Sequence, residues 1–145
     1  MAEYTYTVSL RFSHASRDPA EITAALGIEP HRFWRVGERR KTPKGTPLDG
    51  VYTQSYWTAQ IISGSSVERD LRLAIGDALD YLEARKDFFQ DFASNGGRPE
   101  FFVGWFFDDG NSGDVFDHAL LTRLADFRID LSLDVYPASP SDDDG

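Results

Sequence analysis

Between Phe127 and Tyr136 the apolar residues Phe127, Ile129, Leu131, Leu133 and Val135 alternate with Arg128, Asp130, Ser132, Asp134 and Tyr136. A strict period of two with polar residues between describes a β-strand that buries one face and wets the other. Such a strand needs other elements to cover its dry side.

Tyr4 to Phe12 shows the same period, with Tyr4, Tyr6, Val8, Leu10 and Phe12 opposed to Thr5, Thr7, Ser9 and Arg11. A helix start follows. Asp18 is placed to cap it, Pro19 takes the first helical position where a missing N–H costs nothing, Glu21 completes a capping box, and Gly27 ends the helix. Phe33 to Arg39 reads as a second strand. Lys41 to Gly50, with Pro43, Gly45, Pro47 and Gly50, reads as an exposed, mobile loop. Tyr52 to Ile62 resumes an extended pattern, in which Trp57 is expected in or beside the core.

Ser65 or Ser66, with Glu68, is expected to cap the clearest amphipathic helix, whose inner stripe is Val67, Leu71, Ile75, Ala78, Leu79 and Leu82. A further helix over Arg85 to Ser94 places Phe88, Phe89 and Phe92 within reach of one face before Asn95, Gly96, Gly97 and Pro99 end it. Phe116, Leu120, Leu121 and Leu124 mark a last helix, capped by Asp114.

The residues Asp18, Pro19, Glu21 and Ile22, then Leu26 to Pro30, Gly37 and Glu38, Trp57, and Asp134 to Tyr136 resemble a bacterial family known only as a domain of unknown function, numbered forty-two seventy-nine. The resemblance spans about Val8 to Tyr136. It implies a small α/β bacterial protein and brings no catalytic residue or ligand with it.

These elements together predict an α+β fold in two layers. An antiparallel-rich sheet of about five strands carries its helices on one face, akin to a ferredoxin-like core with an added helix and strand. One domain is expected over residues 1–136, followed by a disordered acidic tail over 137–145. There is no cysteine, which excludes disulfides, thiolate nucleophiles and cysteine-based zinc sites. No basic and apolar leader opens the chain, and no apolar run reaches the roughly 18 residues of a membrane span, so a cytoplasmic protein without membrane contact is expected.

Charge is unevenly placed. His31 to Lys44 holds Arg32, Arg35, Arg39, Arg40, Lys41 and Lys44 against Glu38, a local charge of +5, which leaves −14 on the rest of a chain of net charge −9. The acidic remainder disfavours nucleic acid and favours association with basic partners.

Glu100 to Phe107 is apolar on both sides: Phe101, Val103, Trp105 and Phe107 on one, Phe102 and Phe106 on the other with Gly104 between them. Trp105, Phe102, Phe106 and Gly104 are therefore candidate binding residues, Gly104 as a notch for close approach. Arg35, Arg39 and Arg40 of the basic arm are candidates for an anion. His14 with Asp108 and Asp109 is a candidate acid–base cluster, provided the strands before them lie side by side.

No cofactor is called for. None of the histidines has metal-ligand spacing, and the Asp108–Asp114 loop lacks the Glu at the twelfth position that a calcium loop requires. The favoured function is a non-enzymatic module binding a protein or small ligand, in the manner of immunity proteins that hold a basic toxin, or pairing with a second copy of itself. The alternative is a small enzyme or an anion- or nucleotide-binding domain using the His, Asp and Arg residues of the loops.

Overall fold

The computed structural model describes residues 3–137. The elements in order are β1 (Tyr4–His14), α1 (Pro19–Leu26), β2 (Arg32–Trp34), β3 (Arg39–Lys41), β4 (Pro47–Val51), β5 (Ser55–Ser65), α2 (Leu71–Leu82), a 3₁₀ turn at Glu83–Arg85, α3 (Lys86–Ser94), β6 (Arg98–Phe107), α4 (His118–Asp126) and β7 (Asp130–Tyr136). A five-stranded sheet runs β2-β5-β1-β6-β7, and β3 with β4 forms a separate hairpin. In the sheet three pairs are antiparallel, and β6 with β7 is parallel. This is the α+β architecture expected, antiparallel-rich, with one helical layer on one face; the ferredoxin-like expectation holds for that layering. The expected acidic tail, Pro137 apart, lies outside the described residues.

β1 is the axis. Tyr4, Tyr6, Val8, Leu10 and Phe12 point into the helical layer and are almost fully buried, as its period of two dictates. Trp57 and Ala59 of β5 and Phe101, Val103 and Trp105 of β6 flank them. α1 and α2 lie over β5, α3 over β6, and α4 over β7 and against α2. Phe89 and Phe92 of α3 close on Phe12 with ring centroids 5.3 and 5.0 Å away, so the three-Phe helix is core-forming. β5 has an extra residue where the register with β1 shifts at Val8/Ser9, a bulge that turns Ile62 and Gly64 toward the side occupied by Trp57.

Local chemistry accounts for α1. Asp18 accepts the Ala20 N–H at 2.9 Å, Glu21 reaches back to the Asp18 N–H, and Gly27 at φ 69° closes the helix. α2 differs from expectation. It starts at Leu71, beyond Ser65 and Ser66, and its N-cap Asp70 makes no side-chain cap bond. Its first two N–H groups are taken by distant residues: the Tyr4 hydroxyl accepts from Leu71 at 2.9 Å and Asp114 from Arg72 at 2.8 Å. Asp114 therefore holds the start of α2, while Asp117 caps α4 through the Leu120 N–H. Desolvation between these groups pushes the Tyr4 hydroxyl up to about 12.

The last strand is shorter than its pattern. Phe127 ends α4, Arg128 sits at φ 63°, and pairing begins at Asp130. Ile129 N–H bonds the Leu124 carbonyl and Arg128 N–H the Ala125 carbonyl, both at 2.9 Å, which is a Schellman close with arginine where glycine is usual. Ile129 and Leu124, buried together, provide the apolar contact that fixes this turn.

Candidate functional site: a basic arm and two sheet edges

The segment expected to be a mobile loop is an ordered hairpin. Thr42 N–H bonds the Thr46 carbonyl at 2.8 Å, and the Thr42 hydroxyl takes the Thr46 N–H at 3.0 Å, so threonine closes the turn that Pro43 and Gly45 permit. Trp34 fastens the hairpin to the sheet. Its ring lies 4.2 Å from Tyr52 at 10° and 4.5 Å from Tyr56 at 27°, and its Nε1 donates to the Gln54 carbonyl. Arg32 donates to the Lys41 carbonyl, the Tyr52 hydroxyl bonds Lys41, and Val36 N–H bonds the Ser55 hydroxyl.

Three of the six basic side chains are spent on carbonyls, not carboxylates. Arg39 donates to Leu48 and Arg40 to Asp49 through backbone oxygens. Arg35 pairs with Asp18 at 3.1 Å, and the Asp18 carboxyl sits below its ordinary range, chiefly through the Ala20 N–H and further through Arg35. Among the described residues, Arg32, Arg39, Arg40, Lys41 and Lys44 have no carboxylate within 4.0 Å. Between the arm and β2 opens a cleft of about 490 Å³ lined by Arg32, Phe33, Trp34, Arg35, Lys41 and Lys44 among others. Phe33 on its wall is 46% exposed.

The candidates on β6 divide. Trp105 is 7% exposed and packs edge-on to Tyr4 at 5.4 Å, so it belongs to the core. Phe102 and Phe106 lie on the helix-free face, but neither is a bare platform. The Arg11 guanidinium covers Phe102 at 3.7 Å, and Phe106 stacks on Tyr136 at 4.8 Å. Gly104 is no notch: a Cβ there would meet Thr7 Oγ1 at 2.9 Å and the Phe106 ring at 3.1 Å, so neighbouring side chains already fill the space.

The acid–base cluster does not form. β1 and β6 are neighbours, yet antiparallel, so His14 lies beside the start of β6 and Asp108 beside the start of β1, where its N–H bonds the Glu3 carbonyl. An 11-residue strand of roughly 35 Å separates them. The His14 Nδ1 instead accepts the Ser16 and Arg17 N–H groups, both at 3.0 Å, and its buried Nε2 has no partner. Asp108 and Asp109 are exposed in the β6–α4 loop. Among the described residues no three His, Asp or Glu side chains are placed to hold a metal ion, and no helix is long and apolar enough to cross a membrane.

Sequence reasoning missed the edge at β7. Leu133 and Val135, on its helix-side face, are 44% and 50% exposed, because the short α4 covers only the start of the strand. Strict alternation marked these residues as apolar and gave no sign that nothing covers them.

The model of a family described as a domain of unknown function, DUF4279, matches residues 3–138. The chain belongs to the DUF4279 family. In this DUF4279 member the matched span takes in the whole sheet, the arm and all four helices. Neither a curated protein nor a solved structure matches the chain.

Proposed function

We propose that the chain is a non-enzymatic binding module that receives an acidic segment of a protein partner on its basic arm. The observation that carries this reading is the set of five cations without carboxylate partners, Arg32 on β2 and Arg39, Arg40, Lys41 and Lys44 on the fixed hairpin, of which Arg32, Lys41 and Lys44 line the cleft with Phe33. Preorganised cations lose little freedom on binding, so their attraction for carboxylates is not spent on ordering the arm. The negative remainder of the chain steers an acidic segment to the arm and away from other surfaces.

Nucleic acid fits less well, since Trp34 is committed to stacking on Tyr52 and Tyr56 and the body of the chain is strongly acidic. The enzyme alternative needs His14 and Asp108 in one place, and the antiparallel pairing keeps them at opposite ends of β1.

The test is fluorescence anisotropy of a labelled glutamate-rich peptide against a lysine-rich one over a series of salt concentrations. The glutamate-rich peptide should bind, weaken as salt rises, and lose at least tenfold in affinity for the triple variant Arg39→Glu, Arg40→Glu, Lys44→Glu. Preference for the lysine-rich peptide, or unchanged affinity of the triple variant, overturns the reading.

A further inference from the structure

We infer that β7 is a self-pairing edge: two copies of the chain join their sheets by antiparallel β7–β7 pairing, with the two-fold axis at Leu133. This is independent of the basic arm, which lies across the sheet at the opposite edge.

An outer strand presents a row of N–H and C=O groups to solvent, and natural sheets blunt such edges with short strands, lysine, proline or bulges. β7 uses none of these; its charges are two carboxylates, Asp130 and Asp134, both on the helix-free face, and they restrict the register without blocking the edge. It runs seven residues from Asp130 to Tyr136 without lysine or proline, and its pairing with β6 has no register shift. Its helix-side face carries Leu131, Leu133 and Val135. Leu121 of α4, 48% exposed, stands on the same flank, and a groove of about 440 Å³ runs between α4 and the strand, lined by Leu121, Leu124, Ala125, Ile129 and Leu131 among others.

The strand's own sequence selects both the partner and the register. Facing residues in an antiparallel pair share a face, so a slip of one residue would set leucine against aspartate. With the axis at Leu133, Leu131 of one copy faces Val135 of the other over the groove, and Leu133 faces its own counterpart. On the helix-free face Ser132 then opposes Asp134, and Asp130 opposes Tyr136.

The next registers fail on charge. An axis at Ser132 sets Asp130 against Asp134, and an axis at Asp134 sets that carboxylate against itself; like charges directly opposite are destabilising. Of the three central registers, one sets no two carboxylates directly opposite, and it is also the one that pairs all three apolar residues of β7 with one another. Joining the edges merges two five-stranded sheets into one of ten, within the range of open sheets.

One strand and one helix flank make a small interface, so a dissociation constant on the order of 10 µM is expected. Each copy carries −9, so the copies repel at long range, and added salt should strengthen the pairing.

The chain has no cysteine, so a single introduced one reports a single position. Cα atoms opposite one another in an antiparallel pair are about 4.5–5.5 Å apart, inside disulfide range. Under mild oxidation the variant Leu133→Cys should form a covalent dimer at least tenfold faster than Leu131→Cys alone. A mixture of Leu131→Cys and Val135→Cys should give the mixed dimer.

Sedimentation velocity should show concentration-dependent dimers that grow with salt and that disappear in Leu133→Asp, a substitution at an exposed site whose folding is checked by circular dichroism. A monomer up to 1 mM, equal cross-linking of Leu133→Cys and Leu131→Cys, or a dimer that persists in Leu133→Asp overturns the inference. Association that weakens with salt also overturns it, because it assigns the contact to the basic arm and acidic body.

Discussion

The two edges of the sheet are handled in opposite ways. At one, β2 is three residues long and pairs with Tyr56 to Thr58 alone, the chain leaves it at once for a basic hairpin, and the β5 edge beyond it is interrupted by the bulge opposite Val8 and Ser9. At the other, β7 is seven residues long, unbroken, and apolar on a flank that α4 only half covers. One edge spends residues on charge and on internal fastening, and the other leaves its backbone and its leucines available. Under the two proposals each edge takes one kind of recognition: charge that acts at a distance at β2, and shape with register at β7.

Trp34→Ala should do the most to break this contrast. It removes the ring that stacks on Tyr52 and Tyr56, and for a half-buried tryptophan about 2–3 kcal/mol of stability is expected to go. Urea denaturation reads the loss. Tryptic cleavage after Arg39 to Lys44 should speed up, while Leu133→Cys cross-linking stays unchanged.

A smaller effect should reach both edges together. The Tyr4 hydroxyl, on the central strand, keeps its proton to about 12 in the folded protein, against 10.0 ordinarily. Between those values the unfolded chain has lost a proton that the folded chain still holds, so stability is full below pH 10 and falls as pH rises toward 12, by on the order of 2 kcal/mol. The Tyr6 hydroxyl, raised first by desolvation, acts in the same sense. Urea midpoints at each pH should fall over this window and fall less in Tyr4→Phe, and amide exchange at β2 and β7 should accelerate in parallel.

Gly104→Ala sharpens the β7 side alone. The added Cβ displaces Phe106 from its stack on Tyr136, at a cost of about 1 kcal/mol that denaturant midpoints would show, with the arm's tryptic pattern untouched. The least effect belongs to Arg35→Ala. Its exposed pair with Asp18 is worth about 0.5 kcal/mol, to be isolated by a double-mutant cycle because Asp18 also caps α1.

What the sequence showed depended on whether a feature is local. α1 was legible to the residue because Asp18, Pro19, Glu21 and Gly27 each act within a few positions of where they stand. The close of α4 was not, since its left-handed residue is Arg128, held by the packing of Leu124 on Ile129 and not by any glycine. The arm was misread because Pro43, Gly45, Pro47 and Gly50 look like breakers, whereas Thr42 and Thr46 close a turn around Pro43 and Gly45, and Pro47 and Gly50 lie in β4.

For the site, the period of two separated Trp105 from Phe102 and Phe106 correctly but carries no information on which side is dry. Nor could adjacency of β1 and β6 be turned into a meeting of His14 with Asp108 without the strands' directions.

The start of α2 has a consequence for how the chain matures. Its two opening amides are claimed from 67 residues upstream by Tyr4 and from 42 downstream by Asp114. As the chain leaves the ribosome this helix waits with a frayed beginning until the loop before α4 has been synthesised, and a nascent chain halted at residue 105 would carry the whole central strand pair yet lack the carboxylate that seals its longest helix.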